Sequence, residues 1–207
     1  MTDEFIRINI AFRPPADIAE AAAKLSAEIA QKEEAHFVID SQNFYPHMTI
    51  YSPEYPAQNL GKVLSALGEI LKKFSEVKFI FKKVTTEEGW IGIEFELTDE
   101  IKKIHESIVG EMNALREGHL REKYLIQDGS EHSAEQKENI QKYGLPSLMG
   151  LYIPHLTLTR LKDEKIAEKL TQEINWPIPE FKADKLGAFK MGDHGTCIEL
   201  IQEFKLG

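Results

Sequence analysis

Two related segments of this sequence decide its fold: Tyr152–Arg160, which reads YIPHLTLTR, and Tyr45–Tyr51, which reads YPHMTIY. In both, a proline precedes a histidine, a threonine follows two positions later, and the residues between and after them are apolar. Successive side chains of a strand point to opposite faces, so the histidine and the threonine of each segment would share one face. Each segment is therefore predicted to be a strand whose apolar face anchors it in a core.

The predicted polar faces carry four candidate catalytic residues, which are His47, Thr49, His155 and Thr157. The ordinary pKa of imidazole is about 6.5, so one histidine can be neutral while the other is protonated at pH 7. A positioned acid or base contributes roughly 10²–10⁴-fold to a rate, and threonine hydroxyls can donate to the non-bridging oxygens of a phosphate. Two such pairs in one cleft would perform phosphoryl chemistry without a metal. Their near symmetry leaves open which histidine is the base.

The composition is typical of a globular protein and not of one that coats nucleic acid. The chain has 207 residues, of which 42% are hydrophobic, enough for a core in one domain or two small lobes. A net charge of −9 argues against an extended nucleic-acid coat but allows a small anionic substrate in a local cleft. The single cysteine, Cys197, excludes an internal disulfide and fits a reducing compartment. We see no export signal and no apolar run of ~20 residues, so we expect a soluble cytoplasmic monomer without membrane contact.

Hydrophobic periodicity predicts further strands and helices around the two segments. Alternation predicts strands at residues 5–12, 36–40, 77–84, 89–97, 181–191 and 196–206, with a hairpin turn at 85–88 and a loop at 52–58. Helices are predicted to begin at the caps Asp17, Thr98, Ser133 and Asp163, with another over about 59–74, and Gly144 is predicted to end the helix that Ser133 begins. The charged segment 116–132 is predicted to be a surface excursion or flexible loop.

The order of these elements predicts the fold class. Each half of the chain has a helix, a His-x-Thr strand, a second helix and a strand pair, which is a weak internal duplication. Strands joined by hairpins with helices between them favour an α+β fold. We therefore predict two pseudo-symmetric, mainly antiparallel sheets with outer helices and a central cleft. These form a single bilobal domain over residues 1–207 with an insertion at about 116–146.

With these motifs, the chain resembles the two-histidine (2H) phosphoesterase superfamily, which includes 2′-5′ RNA ligase-like proteins and cyclic nucleotide phosphodiesterases. That family is defined by two His-x-Thr/Ser-x motifs. The second segment also matches the longer RNA ligase-like form, Tyr-x-Pro-His-x-Thr-Leu-x-Arg, through Tyr152, Pro154 and Arg160. The sequence YGLP at 143–146 resembles the approach to the second motif in larger bacterial members with a helical insertion. The segment 116–132 matches no named family feature, and substrate preference is expected to reside there.

The resemblance implies a metal-independent phosphoesterase without a cofactor. Its substrates would be 2′,3′-cyclic phosphates of RNA ends or nucleotides, or 2′-5′ phosphodiesters. Arg160, Tyr51 and Tyr152 are candidate substrate-binding residues. By strict alternation Tyr51 shares the face of Thr49, where it would either stack on a base or be an aromatic residue at the rim of the cleft. Strict alternation directs Arg160 away from the face of His155, so its role requires a bulge.

Other polar and aromatic residues are explained more simply by solvation or by packing. Arg7 and Asn9 lie on the polar face of the first predicted strand, where solvation at the surface is the preferred interpretation over a place in the cleft. Trp90 is predicted to pack or to form the cleft wall. The remaining histidines lack the motif context and are assigned no role; they are His36, His105, His119, His132 and His194.

Two other functions compete with this prediction. A zinc hydrolase would need more ligands than two histidines, and the chain has neither a His-Glu-x-x-His pair nor a cysteine cluster. A non-catalytic protein that binds RNA ends or nucleotides on the same scaffold is the alternative. The presence of all four histidine and threonine residues argues against it, because binding alone does not require a matched acid and base. Walker A, Gly-x-Ser-x-Gly and dinucleotide fingerprints are absent from the sequence.

Overall fold

The strands of the protein form two antiparallel sheets. The structure is a computed structural model that describes residues 4–126 and 132–207. Its strands are β1 (Phe5–Arg13), β2 (Met48–Tyr51), β3 (Glu54–Pro56), β4 (Val77–Glu87), β5 (Trp90–Phe95), β6 (His155–Arg160), β7 (Glu180–Ala183), β8 (Lys185–Met191) and β9 (Cys197–Lys205). Its α-helices are α1 (Ala16–Lys32), α2 (Leu60–Leu71), α3 (Asp99–Met112), α4 (Glu122–Ile126), α5 (Ala134–Tyr143) and α6 (Glu164–Glu173).

The sheet order gives each motif strand the same position. The first sheet has the order β2-β1-β8-β9, with β3 also paired to β1, and the second has the order β6-β5-β4-β7. The motif strands β2 and β6 thus lie at one end of their sheets, and the two strands contact each other. The prediction of an α+β fold with two pseudo-symmetric antiparallel sheets is confirmed.

The two sheets do not correspond to the two halves of the sequence, as the predicted duplication implied. The first sheet combines strands from both ends of the chain, and the second takes strands from the middle. The predicted strand 181–191 is divided at Asp184: β7 pairs with β4 in the second sheet, and β8 pairs with β1 in the first. The Asp184 carbonyl accepts a hydrogen bond from the Leu206 N–H, which fixes this crossing point. Apolar residues lie at odd positions before Asp184 (Phe181, Ala183) and at even positions after it (Leu186, Ala188), a phase shift that marks a break but not the strand that each part joins.

The predicted strand at 36–40 is wrong. Phe37 and Ile39 are buried like strand residues, but side-chain hydroxyls satisfy their backbone groups. The Ile39 N–H donates to Ser26 Oγ at 3.2 Å, and Thr159 Oγ1 donates to the Phe37 carbonyl at 2.6 Å. The segment therefore has the apolar pattern of a strand without a sheet partner.

Smaller corrections concern turns and caps. The β4–β5 turn lies at Glu88 and Gly89, both with positive φ, so the hairpin extends beyond the predicted turn at 85–88. The predicted loop at 52–58 contains β3. Thr98, Ser133 and Asp163 cap their helices as predicted, and Gly144 ends α5 in the left-handed region with φ of 85°. Asp17 is instead inside the first turn of α1, whose N-cap position is Pro15.

The predicted surface excursion at 116–132 begins with an anchored residue. Arg116 is 2% exposed, and its guanidinium donates to Asn113 Oδ1 and to the carbonyls of His119 and Lys142. The helix α4 then follows, while residues 127–131 of the predicted excursion lie outside the described residues. Among the described helices, none is long and apolar enough to cross a membrane.

Strand β1 is covered on both faces, and this positions the site. Its residues Ile8, Ile10 and Phe12 are fully buried in the main core. On the opposite face Asn9 and Ala11 are also fully buried. A strand that was predicted to be half-buried is therefore central, and its polar face lies inside the protein.

Candidate active site

A cleft of about 460 Å³ lies along the two motif strands, and all four predicted catalytic residues line it. His47 precedes β2 and Thr49 lies within it, while His155 and Thr157 lie in β6. The structure thus brings together two His-x-Thr segments that are far apart in the sequence.

Both histidines are oriented by the same backbone contact. His47 Nδ1 lies 2.7 Å from the carbonyl oxygen of Tyr45, and His155 Nδ1 lies 2.9 Å from that of Ile153. A carbonyl oxygen only accepts, so Nδ1 must carry the proton in each ring. The other nitrogen, Nε2, is then the one that can exchange a proton with a substrate.

The two imidazoles differ in their surroundings. His47 is 9% exposed and its ring centroid lies 6.4 Å from that of Phe189. Burial, with a smaller contribution from the charge of His155, lowers the pKa of His47 to about 4. His155 is exposed to solvent. At pH 7 the geometry therefore favours a neutral His47 that can accept a proton.

Thr49 is held by a buried amide. Asn9 Nδ2 donates to Thr49 Oγ1 at 2.9 Å and lies 3.3 Å from Cys197 Sγ. Because the Thr49 oxygen is occupied as an acceptor, its hydroxyl hydrogen is available to donate into the cleft. The predicted solvation of Asn9 at the surface is wrong, since this side chain is fully buried.

Thr157 faces a glycine instead of an amide. It is paired with Gly92 of β5, where an added Cβ would lie 3.0 Å from the Leu156 carbonyl oxygen and 3.6 Å from Thr157 Cα. A Cβ contact of 3.0 Å is tighter than most, and the neighbouring backbone would have to shift to accept it. Gly92 therefore lets β5 lie close to β6 beside Thr157.

A bulge in each motif strand changes the alternation that the sequence suggested. In β2, Thr49 pairs with Ala11 and Tyr51 with Ile10, which leaves Ile50 as an extra residue. Tyr51 is consequently fully buried, and its hydroxyl donates to the Tyr143 carbonyl at 2.7 Å. The prediction that the Tyr51 ring stacks on a base is corrected, because the ring has no exposed face.

The second bulge affects Arg160. In β6, Thr157 pairs with Gly92 and Thr159 with Ile91, so Leu158 is the extra residue and Arg160 comes to lie opposite Trp90. The guanidinium lies 5.1 Å from the Trp90 ring centroid, and its Nε donates to the Glu88 carbonyl. Trp90 itself lines the cleft. The bulge that a role for Arg160 required is thus present, and the side chain meets the cleft through Trp90.

Tyr152 joins the two motifs. Its ring is 6% exposed, burial raises its pKa, and its hydroxyl donates to the Thr49 carbonyl at 2.9 Å. The face of the ring stacks on His105, with 3.8 Å between centroids. The hydroxyl of Tyr152, a residue predicted to bind substrate, therefore holds the second motif against the first.

His105, to which sequence reasoning gave no role, completes this junction. The Met149 N–H donates to its Nε2 at 3.0 Å, so Nδ1 carries the proton and donates to the Ile50 carbonyl at 3.2 Å. Burial lowers its pKa to about 4, which keeps the ring neutral. A histidine beside the apolar stripe of α3 was the available signal, but its partners are distant in sequence.

Arg7 also lines the cleft, so the predicted surface solvation is wrong here too. Its Nε is buried without a hydrogen-bond partner among the described residues. Burial and the nearby charge of Arg121 lower the pKa of the Arg7 guanidinium to about 10. As for metals, no three His, Cys, Asp or Glu side chains of residues 4–126 and 132–207 are grouped as a ligand set.

Comparison with known proteins shows the family and the fold of the chain. The model of the 2′-5′ RNA ligase superfamily matches residues 14–195. The chain is similar to TT0787 of Thermus thermophilus, with 13% identity, a TM-score of 0.62, and coverage of 97% of this chain and 98% of that one. It is also similar to E. coli LigT in its apo form (12% identity, TM-score 0.56) and complexed with 3′-AMP (12%, 0.55), with 99% of each chain covered in both cases. No curated protein sequence matches significantly.

Proposed function

Because the chain belongs to the 2′-5′ RNA ligase superfamily, we propose that it is a metal-independent phosphoesterase. Its reaction is the hydrolysis of 2′,3′-cyclic phosphates at RNA ends or on nucleotides, or of 2′-5′ phosphodiesters. The observation that carries this proposal is the pair of imidazoles on one cleft, each held by Nδ1 so that Nε2 remains for proton transfer.

The unequal burial of the histidines supports different roles for them in hydrolysis. His47, neutral because it is buried, takes a proton from water through Nε2 while the water oxygen attacks phosphorus. The bond between phosphorus and the leaving ribose oxygen breaks, and exposed His155 gives that oxygen its proton. The roles reverse in the direction of ligation.

The threonines stabilise charge on the phosphoryl group. Thr49 already accepts from Asn9, so its hydrogen is directed to a non-bridging oxygen, and Thr157 serves the other side of the cleft. A nucleotide substrate is supported by one of the similar structures, E. coli LigT complexed with 3′-AMP, because a nucleoside 3′-phosphate is the kind of product that opening a cyclic phosphate yields.

The test is turnover of 2′,3′-cyclic nucleotides and 2′-5′ dinucleotides by the protein and its variants. His47→Ala and His155→Ala should each lower kcat/KM by roughly 10²–10⁴-fold, as expected for a lost acid or base. His36→Ala is the matched control, because His36 is exposed and is not a cleft-lining residue. Rates should persist after exhaustive chelation.

Two outcomes would contradict the proposal in different ways. Loss of activity on chelation that a divalent metal restores would refute metal independence. Measurable nucleotide binding without turnover of any of these substrates would favour the alternative, a non-catalytic protein that binds RNA ends or nucleotides.

A further inference from the structure

Arg7 occupies an unusual position in the cleft. On β1 it lies two residues from Asn9, whose amide holds Thr49, and its side chain lines the cleft with Thr49. Arg7 makes no ion pair or side-chain hydrogen bond to another described residue, and its Nε is buried. Arg7 is half-buried, and its buried Nε lacks a partner among the described residues, so an anion bound in the cleft would supply one.

Two more cations lie beside Arg7 and come from the segment that precedes and begins α4. Arg121 and Lys123 flank the ring of Tyr124, with the Arg121 guanidinium carbon 6.0 Å and Lys123 Nζ 4.7 Å from its centroid. The charges of Arg121 and Arg7 both lower the pKa of Lys123, after the larger effect of burial. The three cations are thus close enough to repel one another.

Among the described residues, acidic groups balance only part of the positive charge of this cluster. Glu54, which pairs with Arg7 along the backbone, extends its carboxylate to Arg121 Nε at 3.4 Å and to His119 Nε2 at 2.9 Å. One carboxylate therefore serves Arg121 and His119, and it makes no ion pair with Arg7. An anion bound between the cations would remove this repulsion.

The base of the cluster is anchored. The Phe5 ring stacks on His119 with 3.6 Å between centroids, and buried Arg116 is hydrogen-bonded to Asn113 and to the Lys142 carbonyl. The segment that leads to Arg121 and Lys123 is therefore anchored at Arg116 and His119.

The spacing on β1 relates this cluster to the reaction site. Side chains two positions apart on one face of a strand are about 7 Å apart. Asn9 reaches the hydroxyl of Thr49, so Arg7 lies one such step further along the cleft. This step suits a phosphate that is attached to the same nucleotide as the scissile phosphate, or to its neighbour.

We propose that Arg7, Arg121 and Lys123 form a second phosphate subsite, and that the preferred substrate carries a phosphate beyond the one that is cleaved. This inference rests on the proposed function. The substrate class is a 5′-phosphorylated 2′,3′-cyclic nucleotide, or an oligonucleotide end whose next phosphate occupies the same position. A guanidinium fork matches phosphate oxygens in a bidentate manner, and the local cations attract the anion although the whole protein carries a net charge of −9.

Binding of product analogues tests the subsite without turnover. Titration calorimetry would compare a nucleoside 3′,5′-bisphosphate with the 3′-monophosphate on the wild-type protein. We expect the bisphosphate to bind roughly 10–100-fold more tightly, the range for hydrogen bonds to charged groups. The preference should weaken at high salt because the cluster is partly exposed.

Substitutions then show which residues cause the preference for the bisphosphate. Arg7→Gln should abolish most of this preference. Arg7→Lys should retain part of it, because lysine keeps the positive charge but lacks the bidentate guanidinium. Lys169→Gln is the control: it removes one positive charge from an exposed position of α6 that does not line the cleft. If Arg7→Gln fails to fold, the double variant Arg121→Gln with Lys123→Gln tests the same subsite from the other side.

Turnover separates this inference from the proposed function. Wild-type kcat/KM should be higher for a 2′,3′-cyclic nucleotide with a 5′-phosphate than without it, and Arg7→Gln should remove the difference. Equal turnover of both substrates, unaffected at Arg7, would overturn the subsite and leave the proposed function standing. Arg7-dependent binding of the bisphosphate without any turnover would overturn the proposed function and leave the subsite standing.

Discussion

The two motif regions have the same backbone plan and different surroundings. In both, the histidine Nδ1 donates to the carbonyl two residues earlier, the threonine faces a small residue of the neighbouring strand, and a bulge follows. The small residues are Ala11 in the first region and Gly92 in the second. His47 is enclosed while His155 is exposed. Symmetric geometry thus provides two imidazoles that are both held through Nδ1, and unequal burial distinguishes them.

The next position along each neighbouring strand extends the contrast. On β1 the residue two before Ala11 is Asn9, followed outward by Arg7, and on β5 the residue two before Gly92 is Trp90. The lining of the cleft therefore includes a cationic side chain, Arg7, and an indole that lies against the Arg160 guanidinium. A nucleotide presents groups that suit both, namely its phosphates and its aromatic base.

The largest expected effect comes from changing the leaving group. A nitrophenyl phosphodiester releases a weakly basic oxygen that needs no proton, so His155→Ala should lose less than about tenfold on it. His47→Ala should still lose roughly 10²–10⁴-fold, because water must be deprotonated in either case. Steady-state kinetics on nitrophenyl and ribose leaving groups would measure both ratios. The reverse pattern would exchange the roles of the two histidines.

Disrupting the junction between the regions should have the next largest effect. His105→Asn removes the stack on Tyr152 and the contacts to Met149 and Ile50, so we expect the free energy of unfolding to fall by about 2–3 kcal/mol at pH 7. Urea denaturation would measure this loss. A change below about 0.5 kcal/mol would show that Tyr152 holds the motifs together without His105.

The same substitution should reduce the dependence of stability on pH. In the folded protein the pKa of His105 is about 4, whereas it is about 6.5 in the unfolded chain. Between these values the unfolded state binds more protons, so the free energy of unfolding of the wild type falls as pH decreases from 6.5 to 4. His105→Asn should show a smaller fall over this window, measured by denaturation at pH 7 and pH 5.

The enclosure of His47 should be visible in the pH profile. Its pKa of about 4 places the acid limb of kcat/KM near pH 4, since the protonated ring cannot accept a proton from water. Phe189→Leu would admit water beside the ring and raise that pKa towards its ordinary value, so activity at pH 5 should fall relative to pH 7. Ile198→Leu is the control, because it also introduces a leucine but does so at an exposed position. An acid limb unmoved by Phe189→Leu would mean that other groups enclose His47.

The sequence predicted the positions of the motif histidines and threonines because each His-x-Thr pair lies before the bulge of its strand. His47 and Thr49, like His155 and Thr157, obey strict alternation and line the cleft as expected. The bulge that follows sends Tyr51 into the core, and no residue pattern in the sequence marks its position.

Sheet order explains the other failures. Arg7 and Asn9 were assigned to solvent because β1 alternates like a half-buried strand, but β1 lies between β2 and β8 and is covered on both faces. The change of sheet at Asp184 was missed for the same reason, since local periodicity does not specify which strand lies alongside. The sequence therefore revealed the motif histidines and threonines more readily than the cleft positions of Arg7 and Asn9, which depend on neighbouring strands.

The smallest expected effect tests whether Arg7 is retained for binding at a cost in stability. Arg7→Met keeps most of the side-chain volume and removes a buried, unpaired Nε, so the free energy of unfolding should rise by about 1 kcal/mol. Arg13→Met is the matched control on the same strand, because Arg13 is ion-paired with Glu203 and should gain nothing.

Phosphate should reverse the order of stability of the wild-type protein and the Arg7→Met variant. A ligand that binds only the folded state stabilises it in proportion to its affinity, so inorganic phosphate should raise the Tm of the wild type and of Arg13→Met more than that of Arg7→Met. Thermal unfolding at low ionic strength, with and without phosphate, would measure both effects. If Arg7→Met were less stable than the wild type without phosphate, Arg7 would have a stabilising partner within the protein, and the unpaired guanidinium would no longer indicate an external anion.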